Sequence, residues 1–368
     1  MHDYLRVKPE SVLFAGGNQP ARRHLGISSV AVEDSVVPVR TVDLIETPFC
    51  AIVELTRADA EPHSNVLLVA PLSGHFPVLL RELIIGLLPF CRVYVTDWIN
   101  VRHIPAEYGP FGLDTNISSL LGIMRALPVG LSVIGLCQGG APALAATALL
   151  AANNDSRTPA SLVLIGSPID PLANMTGVAA LSRSRPLSWF EANVIKTVPK
   201  RYAGAGRQVY PAELHLIPLW MYLARRVHEG GELRAKVFLD DGADPGRFPF
   251  LDLFTSIMDL DGRFLLENTR ALFHESWFRE GAFRFEDTRA DPAAITKTAL
   301  LTIEGELDDI AAPGQTSAAH ALCRSLPDRF HRRVVVPGAG HFSLFHGKTC
   351  HRHVIPAIRE FLDGRLEA

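Results

Sequence analysis

The stretch SVIGLCQGGAPALAA, Ser132–Ala146, joins an apolar run to an alanine-rich run through Gly135-x-Cys137-x-Gly139. The apolar run predicts a strand, and the alanines favour a helix over Gln138–Ala152. A strand that turns directly into a helix needs small residues on both sides of the turn residue. The spacing is that of a nucleophile elbow, with cysteine in the place where serine is usual.

Such a turn places Cys137 at the carboxyl end of the strand and at the N-terminus of the next helix. Because the partial positive charge at a helix N-terminus stabilises a thiolate, Cys137 is predicted to be a nucleophile. The backbone N–H of Gln138 is predicted to face the oxyanion that forms after attack. The alternative is a glycine-rich helix start with an inert cysteine.

Buried strands and helices alternate along much of the chain. Continuous apolar runs that end in turns predict strands buried on both faces, and the segments between them predict helices. The sequence therefore predicts the α/β class, with a mostly parallel sheet flanked by helices on both faces. The predicted strands are 35–44, 49–55, 65–71, 92–98, 131–136, 161–167, 298–305 and 332–338, and the predicted helices are 78–88, 114–127, 138–152, 316–326 and 352–362.

The alternation stops between residues 168 and 291, a segment with many aromatic residues and few clear strands. It is predicted to be a mostly helical cap inserted into the core. The remaining divisions are an N-terminal arm with the first strand, 1–46, and an α/β core formed by 47–167 and 292–368.

Two acids and two histidines in the last quarter of the chain compete for the roles beside Cys137. In α/β hydrolases the acid and then the histidine follow the nucleophile on loops after late strands. Asp308, after the strand in EGELDDI, is the predicted acid, with Asp309 as the alternative. His341, after the strand and glycine loop in VVVPGAGHF, is the predicted base, with His346 as the alternative.

The segment VAPLSGHF, Val69–Phe76, follows the strand that supplies the second oxyanion donor in this chain order. Leu72 or Ser73 is predicted to give that backbone N–H. The alternative is an ordinary strand-to-helix turn with Ser73 as its N-cap, and the two interpretations are compatible. His75 and Trp98 are predicted to line the substrate site.

Composition excludes several classes of function. The 368-residue chain is 48% hydrophobic and has a net charge of -3 without a polybasic run, so neither nucleic acid nor an anionic membrane surface is an expected partner. Five scattered cysteines without a CxxC pair argue against a disulfide framework or a zinc site. The N-terminus lacks the apolar core of a signal peptide, and no apolar run reaches the roughly 18 residues of a membrane span. A cytoplasmic protein is expected.

Several blocks of sequence carry a family resemblance: VLLVAPLSGHF, VYVTDWINVRHIP, WFEANVIKTVP, LLTIEGELDDI and GAGHF. From about Thr47 onward the chain resembles the intracellular polyhydroxyalkanoate (polyhydroxybutyrate) depolymerases, α/β hydrolases with a cysteine nucleophile. The resemblance implies a Cys137–Asp308–His341 triad and no metal or organic cofactor. It also implies a polyester of 3-hydroxy acids as the substrate and a storage granule surface as the partner.

The pair Gly139-Gly140 departs from the Cys-Gln-Pro form of many of these depolymerases and is closer to the polyhydroxyalkanoate synthases. Two hypotheses follow. The first is hydrolysis of the polyester to 3-hydroxy acids or oligomers through a cysteine acyl-enzyme. The second is a synthase-like acyltransferase that uses 3-hydroxyacyl-coenzyme A. Homo-oligomerisation is left open.

Overall fold

A computed structural model describes residues 20–366 except 60, 61, 63, 231, 240, 241, 243, 245, 247 and 248. Most of the predicted N-terminal arm, residues 1–19, therefore lies outside the described residues. Within the described chain, every helix is too short or too polar to cross a lipid bilayer.

Nine strands of the described chain form one sheet in the order β1-β2-β3-β5-β4-β6-β7-β13-β14. The six strands from β5 to β14 along this order pair in parallel, whereas β1, β2 and β3 join antiparallel at one edge. The α/β class is confirmed, and residues 29–46 contribute two strands to the sheet where the sequence predicted one. The strands are β1 Ser29–Val32, β2 Ser35–Glu46, β3 Cys50–Arg57, β4 Ser64–Val69, β5 Cys91–Trp98, β6 Ser132–Leu136, β7 Ser161–Ile165, β13 Ala299–Gly305 and β14 His331–Val336.

Continuous apolar sequence explains why the central strands lie where they do. Every residue of β6, β7 and β13 is buried, as expected for strands covered by helices on both faces. Burial of each Val, Leu or Ile side chain in these strands stabilises the fold by roughly 1.5–3 kcal/mol. These strands end at the same edge of the sheet, so the loops that follow them lie side by side.

Helices cover the sheet, and several begin or end away from their predicted bounds. Gly112 takes the N-cap position of the second helix, and Asp114 lies in the first turn. The helix predicted over 316–326 is confined to five residues. Outside the cap segment the helices are α1 Arg81–Leu87, α2 Leu113–Ala126, α3 Gly140–Ala152, α10 Ala318–Leu322, α11 Gly347–Thr349 and α12 Ile355–Leu366.

Between β7 and β13, which are neighbours in the sheet, the chain makes a long excursion that includes the predicted cap, residues 168–291. We call this segment the cap. Its described part holds two small sheets and several helices. The elements are α4 Gly177–Ser184, α5 Leu187–Asn193, β8 Lys196–Thr197, β9 Gln208–Tyr210, α6 Ala212–Glu229, α7 Glu232–Leu239, α8 Phe250–Phe254, β10 Leu260–Asp261, α9 Gly262–Asn268, β11 Arg284–Phe285 and β12 Thr288–Arg289.

A buried arginine links the core to the cap. Arg102 follows β5, and its guanidinium donates to both carboxylate oxygens of Asp259 at 2.8 and 2.9 Å. It also donates to Glu213 at the start of α6 at 2.9 Å. Because a buried carboxylate without its cation is costly, this arginine ties the end of β5 to the cap segment at Glu213 and Asp259.

We expect Arg102→Ala to lower the free energy of unfolding by about 3–5 kcal/mol, since it leaves Asp259 buried and without its cation. Arg125→Ala is the matched control. Arg125 pairs with Asp155 but is half-exposed, so its loss is expected to cost only about 0–1 kcal/mol. Denaturant titration of both variants measures the difference, and equal losses would contradict the assigned role of Arg102.

Candidate active site

The strand-to-helix turn after β6 is strained at Cys137. Cys137 has a φ of 46°, in the left-handed region that residues with a Cβ seldom adopt. Cys137 is the first residue of a 3-10 turn, Cys137–Gly139, and α3 begins at Gly140. The predicted elbow geometry is therefore present, with the helix starting through one tighter turn. Cys137 is almost fully buried.

Close packing explains the glycines of the elbow. A Cβ atom at Gly139 would lie 2.6 Å from the carbonyl oxygen of Val69 at the end of β4. A Cβ at Gly135 would lie 2.7 Å from the Cα of Gly140, and a Cβ at Gly140 would collide with the Ser167 hydroxyl. Each position therefore requires glycine for steric reasons.

Asp308 and His341 form a buried pair. One carboxylate oxygen of Asp308 lies 2.7 Å from Nδ1 of His341, and the other accepts from the backbone N–H groups of Ile310 and Ala311 at 2.9 and 2.8 Å. Neither side chain has appreciable exposure. The acid is thus fixed by its own loop, and it fixes the orientation of the imidazole.

His341 also lies within reach of the elbow, since the Cys137 side chain is among the groups that act on its imidazole. Burial alone disfavours the imidazolium, but the charges of Asp308 and Cys137 and the hydrogen bonds to both outweigh it. Together they raise the pKa of His341 well above its usual value. The structure therefore brings Cys137, His341 and Asp308 together in one connected chain of side chains.

The two alternatives from the sequence have other partners. Asp309 points toward the cap, where it accepts from the Tyr222 hydroxyl at 2.8 Å and from Arg225 at 3.1 Å. Nε2 of His346 lies 3.5 Å from Oε1 of the buried Glu82. Neither is paired with His341 or Cys137 in this way.

The loop after β4 is held from both sides. The Ala70 N–H donates to the Thr96 hydroxyl at 2.9 Å, and the Trp98 indole donates to the Ala70 carbonyl at the same distance. From the cap, the Met258 N–H donates to the Gly74 carbonyl at 2.6 Å. This loop carries Leu72, which is buried, and Ser73, which is half-buried. Ser73 is not an N-cap, since the next helical turn begins at Pro77 with Phe76 before it.

Trp98 and His75, the residues predicted to line the substrate site, are both buried. Trp98 packs edge-on against Phe111, with its indole N–H on the Ala70 carbonyl. Nε2 of His75 lies 2.9 Å from the carbonyl oxygen of Phe254 in the cap. Burial, with a smaller effect from His341, lowers the pKa of His75 to about 4, so its imidazole is neutral near pH 7.

Two contacts at the site were not predicted from the sequence. Gly166, at the end of β7, has a φ of 51°, and a Cβ there would lie 3.3 Å from Cε1 of His341. The Ser167 N–H donates to the Thr316 hydroxyl at 2.8 Å. The glycine after the apolar run of β7 was the available hint.

The described residues contain no group of His, Cys, Asp or Glu arranged to hold a metal ion.

Gly139→Ala tests the packing of the elbow on β4. We expect it to lower the free energy of unfolding by about 1–3 kcal/mol, because the new methyl group meets a backbone carbonyl that cannot rotate away. Gly122→Ala in α2 is the control. Its Cβ would meet no atom within 4 Å, so it is expected to stabilise the helix by roughly 0.5–1 kcal/mol. Changes of the same sign in thermal or denaturant unfolding would refute the steric explanation.

Comparison with known proteins places the chain in a family. A family model described as PHB de-polymerase C-terminus matches residues 166–365, more than half of the chain. No curated protein matches it in sequence. Bromoperoxidase from Bacillus anthracis is 13% identical, with a TM-score of 0.50 over 85% of this chain and 96% of that one.

Two further solved structures are similar. A 2-hydroxy-6-oxo-6-phenylhexa-2,4-dienoate hydrolase from Rhodococcus sp. strain RHA1 is 18% identical, with a TM-score of 0.48 over 90% of this chain and 100% of that one. A thermophilic esterase from Thermogutta terrifontis is 18% identical, with a TM-score of 0.45 over 89% and 98%. The structural likeness shows the α/β-hydrolase fold. The matched family model supports hydrolysis of ester bonds, and the chain belongs to the PHB depolymerase family.

Proposed function

We propose that the protein hydrolyses ester bonds of poly(3-hydroxyalkanoate) through an acyl-enzyme on Cys137. The observation that carries this proposal is the buried hydrogen bond between Asp308 and His341, with the Cys137 side chain acting on the same imidazole. An acid, an imidazole and a nucleophile in this order are the components of acyl transfer by covalent catalysis. Family membership supports the polyester as the substrate.

In the first half of the reaction, Cys137 attacks the ester carbonyl as a thiolate, while His341 holds the proton. The raised pKa of His341 favours this ion pair. The carbonyl oxygen becomes an oxyanion, which backbone N–H groups of Gln138 and of the Leu72–Ser73 turn stabilise. The C–O bond then breaks, and the leaving alkoxide takes the proton from His341. A thioester on Cys137 and a free hydroxyl end of the polymer remain.

In the second half, water replaces the alcohol. Neutral His341 removes a proton from water as the hydroxide attacks the thioester carbonyl. The second tetrahedral intermediate collapses with expulsion of the Cys137 thiolate, which restores the thiolate–imidazolium pair. The carboxyl product is a 3-hydroxy acid or an oligomer. Asp308 orients the imidazole and stabilises its imidazolium form.

The elbow glycines bear on the synthase hypothesis. Gly139 packs against the Val69 carbonyl and Gly140 against Ser167, so both positions need glycine for steric reasons alone. The Gly-Gly pair therefore gives no specific support to a polymerising acyltransferase, and we propose the hydrolase. Synthesis of insoluble polymer from 3-hydroxybutyryl-coenzyme A, with no release of free acid from polymer, would reverse that choice.

Cys137→Ala is expected to reduce release of 3-hydroxybutyrate from amorphous polymer on the order of 10⁴-fold, because the covalent route is lost. Cys323→Ala is the matched control. Cys323 is buried away from the elbow, and its loss is expected to leave the rate near that of the wild type. No release by the wild type, or equal release by the wild type and Cys137→Ala, would sink the proposal.

The pH profile of kcat/KM tests the role of Asp308. A histidine with a raised pKa keeps its proton to higher pH, so the ion pair is lost only as pH rises through that value. Asp308→Asn removes the charge that raises it. We expect the alkaline limb to move to lower pH and kcat/KM to fall by about 10⁴-fold.

Asp309→Asn is the control for this profile. Asp309 pairs with Tyr222 and Arg225 and is not among the groups that shift His341. The alkaline limb of the kcat/KM profile of Asp309→Asn is expected to lie at the same pH as that of the wild type. If Asp309→Asn moves the limb and Asp308→Asn does not, the acid has been assigned to the wrong residue.

A further inference from the structure

An apolar cleft lies on the cap beside the loop that carries Asp308. Its walls are α4 and α6, and its volume is about 520 Å³, within the range of about 300–1,000 Å³ that ligand pockets occupy. Residues that line it are Gly177, Val178, Leu181, Met221, Tyr222, Arg225 and Asp309.

The apolar side chains of this cleft are unusually exposed for their size. Leu181 on α4 has 60% of its surface exposed, and Met221 on α6 has 69%. Val178 on α4, which also lines the cleft, is 43% exposed. Single exposed apolar residues are ordinary, whereas a group that lines one concave surface marks a binding site.

Both walls of the cleft are attached to the acid loop. The Thr176 hydroxyl, at the N-cap of α4, donates to the Ile310 carbonyl at 3.2 Å. The Tyr222 hydroxyl on α6 donates to Asp309 at 2.8 Å. Asp308, Asp309 and Ile310 are consecutive, so the segment that fixes the acid also fixes the cleft.

A short series of rings connects the cleft to the imidazole. Tyr222, in the cleft, has its ring centroid 6.3 Å from that of Phe342. Phe342 packs edge-on against His341 with centroids 5.6 Å apart. One aromatic side chain therefore separates the cleft from the histidine of the candidate active site.

The polar groups of the cleft indicate the chemistry of its occupant. Both oxygens of Asp309 are engaged, one by Tyr222 and the other by Arg225. The side chain of Arg225 is 60% exposed, and its guanidinium has N–H groups to donate. An uncharged chain with apolar segments and carbonyl acceptors but no donors suits this lining, and a polyester is such a chain.

We propose that the cleft between α4 and α6 binds a segment of polyester chain next to the ester that Cys137 attacks. This inference rests on the proposed function and adds to it a binding site outside the reacting centre. Binding energy from that segment is available to polymer and not to a short ester. The cleft therefore distinguishes polymer from small substrates without taking part in the chemistry.

Leu181→Glu and Met221→Glu test the cleft, since each places a charge on an apolar wall. We expect each to lower kcat/KM on amorphous polymer by about tenfold or more, with hydrolysis of a short soluble ester within about twofold of the wild type. In a Cys137→Ala background, each is also expected to reduce sedimentation with amorphous polymer granules. Leu239→Glu, on the exposed end of α7, is the matched control and is expected to change neither measurement.

Four outcomes overturn the inference in distinguishable ways. If the wild type cleaves polymer and the cleft variants cleave and bind it equally well, the cleft is not its site. If the cleft variants lose short-ester hydrolysis to the same extent, the residues act on the catalytic centre or the fold. If wild type and Leu181→Glu differ in oligomeric mass by light scattering, a second copy of the chain occupies the cleft. If the wild type hydrolyses the short ester but not polymer, the proposed function fails and the inference fails with it.

Discussion

The left-handed backbone of Cys137 is the constraint on which the site depends. A residue with a Cβ holds a φ of 46° only where its neighbours leave no relaxed alternative. Here the turn is enclosed by β4 on one side and by Ser167 on the other, and both approaches require glycine at positions 139 and 140. The packing that strains the turn also places the Cys137 thiol beside His341. One structural feature therefore determines both the local backbone and the geometry of the candidate site.

Two adjacent carboxylates on the loop after β13 have different partners. Asp308 is buried and turned inward, where it orients His341, while Asp309 is turned outward and holds Tyr222 and Arg225 of the cap. The residue that follows the acid in the chain is therefore tied to the cap.

Local signals in the sequence predict the central strands, and chain order predicts the candidate site residues. Continuous apolar runs located the central strands, and the order of motifs selected Cys137, Asp308 and His341, which the structure brings together. No local signal predicts the partner of Asp309, because Tyr222 lies 87 positions away in the chain. Nor does any local signal predict that the buried indole N–H of Trp98 donates to the backbone carbonyl of Ala70. Such contacts depend on tertiary packing, and no periodicity in the sequence encodes them.

Trapping of the acyl-enzyme tests the central claim most directly. The protein would be mixed with an activated short ester of 3-hydroxybutyrate, quenched in acid within one turnover, digested and analysed by mass spectrometry. The account predicts an acyl group on the peptide that contains Cys137, removable by hydroxylamine as a thioester is. An acyl group on another residue such as Ser73, or turnover without any adduct at Cys137, would contradict it.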